Sequence, residues 1–430
     1  MEKKLIIIGA GPSGMASALG AMLNGISPKD ILIVDRDSDL GGTLNQCVHT
    51  GFGLHYFGEN LTGTEYADRF VNKIKENKIG YLLNSTVLSI TKDKEVTIVS
   101  PQYGYINAKA DAIILAMGCR ERPRGSLNIA GTRPAGIFSA GTAQKFVNID
   151  GYLPGKNVVI LGSEDIGLIM ARRMTLEGAK VLCVSEIRPQ ARGKEQNVTS
   201  CLEDFDIPLY TSTIITEIFG KERVEAVEIA QVDKNLKVIK GTEKILKCDT
   251  LIISCGFIPE NEISRSAGIT IDRTNGGAKT DEFFQTDIDG IFACGNALHL
   301  HDTIDSLTEE AIVVGKNAAE HIKGNKDAST SVLPNKRLIS MIKKVVANRK
   351  PKVKTQDPTG ILTSTVKISS KISKLLPVKT DKPIDKSKFF DAMKQISQIK
   401  VKAPIKAGDI IEGDFIEQGT NLIATKTIQK

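Results

Sequence analysis

The segment Lys3–Gly14 (KKLIIIGAGPSG) decides the fold of this chain. Its short apolar run leads directly into a glycine-rich turn, and a helix-forming segment follows the turn. A second apolar run, Ile31–Val34, ends at Asp35, which lies 21 residues after Gly14. This order of strand, glycine-rich turn, helix, strand and acidic residue predicts a βαβ unit that binds a dinucleotide. The alternative is a glycine turn with a purely structural role.

Each glycine of this turn has a mechanical reason. Gly9 permits the tight turn, Gly11 lets the backbone approach a pyrophosphate, and Gly14 allows the helix to pack closely on the strand. The helix N-terminus faces the phosphate charge, and the acid can bind a ribose hydroxyl. The candidate cofactor-binding residues here are Gly9, Gly11, Pro12, Ser13, Gly14, Asp35 and Arg36.

The composition is ordinary for a globular chain of two or three domains. Of the 430 residues, 41% are hydrophobic and 25% are charged, and tryptophan is absent. No apolar run reaches the roughly 18 residues that span a bilayer. The first strand begins at once, which leaves no room for a signal peptide. We therefore expect a cytoplasmic protein without a transmembrane segment.

Seven cysteines are present, and no two of them have the C-x-x-C spacing. Their spacing argues against a zinc ribbon, an iron–sulfur cluster and a disulfide framework. We expect most of them to be buried small hydrophobic residues in a reducing compartment.

The net charge of +7 is unevenly distributed. Residues 331–430 contain 21 Lys and Arg against 8 Asp and Glu, whereas the first 330 residues contain 36 against 42. A basic segment can face an acidic partner, a membrane surface or nucleic acid. Aromatic residues and arginines are too few beside these lysines to favour nucleic acid. We therefore expect a solvated basic surface and no nucleic-acid partner.

A second glycine-bearing stretch, Leu40–His49, follows the ribose acid. Gly42 and Thr43 are candidate contacts, because backbone amides there can approach a second face of the cofactor. Cys47 and His49 are candidates for a redox thiol and a proton donor beside a flavin ring. The alternative is a packed thiol and a hydrogen-bonded imidazole. For Cys47 we favour this alternative, since no second cysteine follows nearby.

The rest of the first domain is predicted as a helix, a small meander and a closing strand. Gly63–Lys78 is amphipathic, Thr86–Ile90 and Glu95–Ser100 alternate, and Ala112–Gly118 is a buried strand that ends in glycine. Such a strand returns beneath a bound dinucleotide. The candidate contacts in this part are Val87, Ala116 and Gly118.

Lys156–Glu186 repeats the opening pattern and is the only internal repeat that we find. Its middle glycine position holds Glu164, whose carboxylate adds bulk and negative charge where a phosphate would lie. Glu186 at the ribose position favours NAD over NADP, but Arg188 and Arg192 can reverse this preference. The unit either binds a nicotinamide nucleotide or only keeps the fold. Its candidate contacts are Gly162, Asp165, Ile166, Gly167 and Glu186.

Two later strands also end in glycine. Thr250–Gly256 closes the second domain, and the strand before Gly295 can lay the amide of Asn296 along a ribityl chain or a pyrophosphate. Thr303–Ile322 is predicted as the helix that follows, with its N-terminus toward the flavin pyrimidine. The candidate contacts are Gly256, Gly295 and Asn296.

His299, His301 and Asp302 precede that helix at the expected edge of the flavin. We take His301 as a candidate catalytic residue. A histidine pair next to an acid could suggest a metal site, but no further ligand is spaced to complete it. We therefore expect no metal.

The remaining segments are predicted as a second meander, a linker and a small module of strands and one helix. The second meander is expected at Ile207–Glu217, Val224–Gln231 and Lys237–Ile239, and the linker at Asn325–Asp357. The module is expected at Thr363–Val366, Phe389–Ile399 and Val401–Ile411.

With these residues in view, the chain resembles a flavoprotein of the pyridine nucleotide–disulfide oxidoreductase superfamily with two dinucleotide domains. More narrowly, residues 1–325 resemble the FAD/NAD(P)-dependent oxidoreductases associated with bacterial anaerobic glycerol-3-phosphate dehydrogenase, which are relatives of the sarcosine oxidase alpha subunit. That pattern has glycine where this chain has Glu164. The stretches that carry the resemblance are LNQCVH (44–49), LTG (61–63), GTRPAGIF (131–138), DIGLIMARR (165–173), GN (295–296) and HLHD (299–302).

Residues 358–430 resemble the C-terminal half of a small partner protein of unknown function, the DUF1667 family. The stretches that carry this resemblance are LTSTV (362–366), LPVKT (376–380) and VKAP (401–404). That partner normally begins with a cysteine-rich part, which this chain lacks. The chain thus looks like a fusion of two subunits in which the metal-binding half is gone.

These patterns and resemblances predict an α/β chain with two Rossmann-like dinucleotide-binding domains. Each has a βαβ unit and a small antiparallel meander, and a small α+β module follows. The expected parts are an FAD-binding domain (1–120 and 280–325), an inserted NAD(P)-binding domain (121–279), a linker (326–357) and a small basic C-terminal module (358–430).

The resemblance implies FAD and NAD(H) or NADP(H) as cofactors and hydride transfer between them. Electrons would then pass to or from a partner, for which a glycerol-3-phosphate dehydrogenase-like flavoprotein subunit is the candidate. The missing cysteine pair argues against a disulfide reductase. The alternatives are an FAD-containing scaffold subunit that has lost nicotinamide binding, and an amine or amino-acid oxidase subunit. The oligomeric state is left open.

Overall fold

The structure, a computed structural model, describes residues 1–324, the helical residues 342, 343 and 346, and the backbone of residues 415–418 and 421–424. The chain divides into two units, Met1–Lys350 and Pro351–Lys430. Among the described residues, no helix is both long and apolar enough to cross a membrane.

The first unit alternates strands and helices, as the sequence predicts. Its first part contains β1 (Glu2–Ile8), α1 (Pro12–Leu23), β2 (Ile31–Val34), β3 (Thr50–Phe52), β4 (Leu61–Thr62), α2 (Gly63–Glu76), β5 (Gly80–Leu82), β6 (Thr86–Ile90), β7 (Glu95–Ser100), β8 (Gly104–Leu115) and β9 (Cys119–Glu121). Its middle part contains β10 (Ala130–Gly131), β11 (Ile137–Ser139), α3 (Ala140–Lys145), β12 (Asn157–Leu161), α4 (Asp165–Leu176), β13 (Lys180–Ser185), α5 (Glu195–Cys201), β14 (Leu209–Tyr210), β15 (Thr213–Phe219), β16 (Ala226–Gln231), β17 (Lys244–Lys247), β18 (Thr250–Ile253) and β19 (Phe257–Pro259). Its last part contains α6 (Glu262–Ser266), β20 (Ile291–Ala293) and α7 (Ile304–Ile322).

The first sheet has seven strands in the order β5-β2-β1-β8-β7-β6, and β20 pairs with β8. β1 runs parallel to β2 and β8, while β6, β7 and β8 form the predicted antiparallel meander. The apolar run of Leu5–Ile8 lies in the centre of this sheet and is buried on both faces, which is what a continuous apolar strand in a parallel sheet requires. Residues of α1, α2 and α7 complete the core on one face.

The inserted domain has its own parallel sheet, in the order β11-β18-β12-β13-β14, and a four-stranded sheet β10-β15-β16-β17. β9, where the chain leaves the first sheet, pairs antiparallel with β19, where it returns. Both βαβ units therefore form as expected, and in each of them the glycine turn follows the central strand of a parallel sheet.

One predicted strand of the second meander was misplaced. Lys237–Ile239 forms no strand, and the third strand is β17, which pairs with β16. The Asp233 carboxylate accepts hydrogen bonds from the backbone N–H groups of Asn235 and Lys237, at 2.8 and 2.9 Å. These bonds close a turn at the position where the alternation of apolar residues predicted a strand.

The chain rejoins the first domain earlier than the expected boundary at residue 280. Ala267, Ile269 and Ala278 are buried in the core beside the first sheet. The β9–β19 pair returns the chain at residue 259, so residues 260–279 pack with the first domain.

The predicted linker was wrong for three residues. Ile342 and Val346 have helical backbone and are 0% and 2% exposed in the core that contains α1 and α7. Lys343 forms an ion pair with Glu309 at 3.4 Å and places its ammonium 4.7 Å from the ring centre of Tyr56. Two apolar residues four apart occupy one face of a helix, a pattern too short to stand out in the sequence.

In the second unit, β21 (Phe415–Gln418) and β22 (Asn421–Ala424) form an antiparallel hairpin. The predicted segments Thr363–Val366, Phe389–Ile399 and Val401–Ile411 lie outside the described residues.

Candidate active site

The first glycine turn holds its acidic residue by backbone hydrogen bonds. The N–H of Gly9 donates to the Val34 carbonyl at 2.8 Å, and Gly9 has the positive φ of +110° that a tight turn needs. The Asp35 carboxylate accepts from the N–H of Ala10 and, at 2.9 Å, from the N–H of Asp37. Burial raises the pKa of Asp35, although these hydrogen bonds oppose the shift. The acid at the end of β2 is thereby fixed beside the turn.

The space around the turn fits a pyrophosphate. A Cβ added at Gly11 would meet no other atom within 4 Å, so the backbone there borders an open cradle. A Cβ at Gly14 would instead overlap the Gly9 carbonyl, and one at Gly42 would lie 2.8 Å from the Gly11 Cα. The open cradle lies at the start of α1, where helix N–H groups favour an anion.

Gly295 and Asn296 reach the same edge, because β20 runs parallel to β8 beside β1. A Cβ at Gly295 would overlap the hydroxyl of Ser13, so the end of β20 lies against the first turn of α1. Asn296 contacts the thiol of Cys119, whose pKa burial raises to about 11. The structure thus brings these predicted contacts together.

Other predicted contacts differ in their positions. Ala116 lies directly against Gly9, and its N–H donates to Ile8 at 2.9 Å. Arg36 is exposed and lies 4.0 Å from Glu260. The remaining three are Gly118, which borders open space; Thr43, which is exposed; and Val87, which is buried on β6 at the far side of the meander.

Cys47 lies where the first domain meets the inserted one. Its thiol is 3.4 Å from the Thr43 carbonyl and 3.8 Å from Oε1 of Gln144, and burial raises its pKa to about 12. The neighbouring Gln46 donates to Gly141 at 3.1 Å. This is the arrangement of a packed, protonated thiol, and the redox role of Cys47 stays a prediction.

His49 lies at the same boundary. Its Nδ1 is 3.1 Å from the Thr50 carbonyl, and its ring centre is 5.1 Å from that of Phe52. Burial lowers its pKa, and the charges of Asp165 and Arg172 in α4 also act on it. His49 therefore lies within electrostatic range of α4, and its role as a proton donor stays a prediction.

The second glycine turn repeats the polar arrangement of the first. The N–H of Gly162 donates to Ser185 at 2.7 Å, and Gly162 also has a positive φ, +95°. The buried carboxylate of Glu186 accepts from the N–H of Ser163 at 3.0 Å, from the Ser163 hydroxyl, and from the N–H of Arg188 at 2.9 Å. A Cβ at Gly167 would lie 2.7 Å from the Gly162 carbonyl oxygen. The ribose-position acid is held in the same way in both domains.

Glu164 is the point at which the two turns differ. Its Oε1 lies 2.7 Å from a guanidinium nitrogen of Arg192, and its side chain is only 16% exposed. Burial raises the pKa of Glu164, and the charge of Arg192 opposes this shift. The first turn borders open space at Gly11, whereas an ion pair occupies the corresponding position, Glu164, of the second turn.

Asp165 and Ile166, also predicted contacts of the second turn, serve the packing of the domain. Asp165 accepts from the N–H of Lys194 at 2.8 Å and from the amide of Asn197 at 2.7 Å, which fastens the loop after β13. Ile166 packs against the core of this domain, and Gly256 lies opposite Glu164.

The loop after β20 contains a side-chain cluster that the sequence analysis found only in part. Nε2 of His301 and Nε2 of His299 lie 3.2 and 3.3 Å from Oε2 of Glu310. The missed residue is Glu310, which projects from α7, while Asp302 is exposed and outside the cluster. Glu310 lies nine residues beyond His301, and no short sequence spacing indicates this contact.

Comparison with known proteins agrees with this arrangement. Residues 3–320 match the pyridine nucleotide-disulphide oxidoreductase family, and residues 352–426 match a family of proteins of unknown function (DUF1667). The chain is similar to the thioredoxin reductase of Listeria innocua, with 26% identity over 75% of this chain and 95% of that protein. It is also 26% identical to the NAD(P)H coenzyme A polysulfide/persulfide reductase of Pyrococcus horikoshii, over 71% of this chain and 64% of that protein.

The fold resembles the crystal structure of T. acidophilum thioredoxin reductase, with a TM-score of 0.59, 23% identity, and coverage of 75% of this chain and 98% of that chain. It also resembles the bacillithiol disulfide reductase Bdr of Bacillus cereus, with a TM-score of 0.61, 17% identity, and coverage of 76% of this chain and all of that one, 100%.

Proposed function

The chain belongs to the pyridine nucleotide-disulphide oxidoreductase family, and from this premise we propose that it transfers a hydride between a nicotinamide nucleotide at the second glycine turn and FAD at the first. It is an NAD(P)H-dependent flavoprotein oxidoreductase with FAD and NAD(P)H as cofactors. When bound, FAD supplies a ring that can accept and release a hydride. The chain's own residues position the two nucleotides.

The observation that carries this proposal is the repeated polar arrangement at the two turns. Ala10 donates to Asp35 as Ser163 donates to Glu186. Each pair fixes an acid at the ribose position of its own sheet. An acid at the second ribose position repels a 2′-phosphate, so we propose NAD(H) as the preferred nucleotide.

We further propose that the electrons pass to or from a partner flavoprotein of a glycerol-3-phosphate dehydrogenase system. The stretches around Cys47 and after Gly295 support this assignment, because they are the ones that resemble oxidoreductases of that system. All seven cysteines are free, which is consistent with an acceptor other than a disulfide within this chain. Free thiols also suit the cytoplasm, where we place the activity.

A second candidate function follows from Glu164. Its ion pair with Arg192 occupies the mouth of the second turn. If this ion pair persists and excludes the nucleotide phosphate, nicotinamide does not bind, and the chain is an FAD-containing scaffold subunit. The third candidate, an amine or amino-acid oxidase subunit, needs no nicotinamide nucleotide at all.

One anaerobic experiment separates these candidates. The purified flavin-containing chain is mixed with NADH, and flavin absorbance is followed at about 450 nm. Rapid bleaching is expected. No bleaching by NADH, with bleaching restored in Glu164→Gly, would establish the scaffold candidate instead, whereas bleaching by an amine alone would establish the oxidase candidate.

A further inference from the structure

Three donor atoms from two separate elements converge in the loop after β20. Oε2 of Glu310, on the second turn of α7, lies 3.2 Å from Nε2 of His301 and 3.3 Å from Nε2 of His299. Zinc–ligand distances of about 2.0–2.1 Å place neighbouring ligands of a tetrahedral ion about 3.3 Å apart. Two of the three donor–donor distances therefore match such a site, and all three donor atoms lie within 4.8 Å of one another.

The hydrogen bonds of His301 determine which of its nitrogens carries a proton. Nδ1 lies 3.0 Å from the His299 carbonyl and 3.4 Å from Oδ1 of Asn296. That Oδ1 is an acceptor, because the backbone N–H of His301 donates to it at 3.0 Å. With both neighbours accepting, Nδ1 is the protonated nitrogen. In the neutral ring, Nε2 then points a lone pair at a carboxylate oxygen, which is repulsive unless a cation lies between them.

A proton on Nε2 of His301 is the competing way to relieve this repulsion. The ring of His299, however, stacks on that of His301 at 4.3 Å between centroids and aims its own Nε2 at the same oxygen. Protons on the two Nε2 atoms would bridge the same pairs, so a metal titration is what distinguishes bound protons from a bound cation. A single divalent cation satisfies both neutral rings and the carboxylate together.

The surroundings of the cluster resemble the outer shell of a metal site. The protonated nitrogen of His301 donates to a backbone carbonyl, and Oε1 of Glu310 accepts from the Gly295 N–H at 2.8 Å. Both contacts orient a ligand while leaving its donor atom free. The side chains of His301 and Glu310 are only 7% and 10% exposed, whereas that of His299 is 43% exposed. The cluster is thus anchored inside and open to solvent on one side.

We propose that His299, His301 and Glu310 bind a divalent transition-metal cation, with Zn²⁺ as the best match. Two imidazoles and one carboxylate are a known ligand set for this ion, with further positions left for water or substrate. Glu310 also holds Gly295, so the cation would stiffen the end of β20 that carries Asn296. The sequence analysis expected no metal because it considered only ligands within the loop, and this proposal departs from that expectation.

The test uses the full flavin-containing chain, dialysed against a chelator and then titrated with Zn²⁺ by calorimetry. We expect one bound ion per chain, confirmed by metal analysis after gel filtration. His301→Ala and Glu310→Gln each remove one ligand and should weaken binding by at least 100-fold, since even second-shell changes cost about 10–100-fold. His321→Ala is the matched control, because His321 also lies beside an acid, 3.9 Å from Asp289, but outside the cluster.

His299→Ala guards against a folding defect, because this side chain is the most exposed of the three. We expect it to lose Zn²⁺ binding while keeping the wild-type melting temperature and flavin content. Co²⁺ gives a second readout, since a tetrahedral site produces intense visible bands that the three variants should lack. Undetectable Zn²⁺ binding by the wild-type chain, or binding that survives in His301→Ala and Glu310→Gln, would overturn the proposal.

Discussion

Glu164 and Arg192 form an ion pair, with 2.7 Å between Oε1 and Nη1, at the turn whose counterpart in the first domain is an open glycine. The pair partly neutralises the carboxylate that would meet a nucleotide phosphate. It also occupies the guanidinium that would otherwise attract that phosphate. Nucleotide binding at this turn therefore competes with an internal contact.

The first prediction is that NADH binds more tightly as the pH falls. Burial raises the pKa of Glu164, so this carboxyl becomes neutral at a higher pH than a free glutamate does, and repulsion of the phosphate decreases. We expect the Kd to fall as the pH is lowered toward the pKa of this carboxyl, and to vary less with pH in Glu164→Gln. Glu177→Gln, which removes an ion pair at the other end of α4, is the control. The same pH slope in wild type and Glu164→Gln would contradict this view.

The second prediction compares two glycines of one turn. In Gly11→Ala the new methyl group meets no other protein atom within 4 Å, so the fold should survive. The methyl fills the cradle, and an overlap worth about 1–3 kcal/mol should weaken FAD binding about tenfold to a hundredfold. Gly14→Ala drives a methyl into the Gly9 carbonyl and should destabilise folding by at least about 3 kcal/mol.

The flavin content of the two purified variants measures the effect on FAD binding. Urea unfolding of their apoproteins measures the effect on stability. Equal stability of the two alanine variants would show that the turn is not packed as described.

The third prediction concerns the reactivity of Cys47. With its pKa raised to about 12 by burial, only about one molecule in ten thousand carries the thiolate at pH 8. Iodoacetamide should therefore leave Cys47 unmodified in the native chain and label it after unfolding in urea, as read by peptide mass spectrometry. Rapid labelling of the native chain would instead favour the redox role.

The fourth prediction tests the helical residues near the end of the first unit. Ile342 is 0% exposed in the core beside α1 and α7, so Ile342→Ala should cost about 2–5 kcal/mol. Ile149→Ala is the control, because Ile149 is 52% exposed. Urea unfolding followed by circular dichroism gives both values. A loss below about 0.5 kcal/mol for Ile342→Ala would mean that Ile342 does not pack on this core.

The elements that local chemistry determines were the ones that could be predicted. The turn Gly9–Gly14, its acid Asp35 and the damaged copy at Glu164 all follow from backbone geometry and spacing within about 30 residues. The strands Thr86–Ile90 and Glu95–Ser100 match the prediction at both ends, because alternation on one buried face fixes them.

The parts that could not be predicted depend on distant packing. Glu310 joins the two histidines only because α7 packs beside the end of β20, and no short spacing announces that contact. Ile342 and Val346 reach the core from a segment whose composition suggested a linker. The strand Lys244–Lys247 pairs with β16 although it carries two lysines, because an edge strand tolerates charge.

The β9–β19 pair has a mechanical consequence. Each of these strands has three residues and begins directly after a glycine with positive φ, Gly118 at +73° and Gly256 at +100°. The two covalent crossings between the sheets therefore form a short hinge, because the φ and ψ angles of glycine change at low energetic cost. Two side-chain hydrogen bonds, from Gln46 to Gly141 at 3.1 Å and from Asn148 to Gln46 at 2.8 Å, hold one angle between the two domains. In the proposed transfer, a change of angle at this hinge would alter the distance between the two glycine turns without disturbing either hydrophobic core.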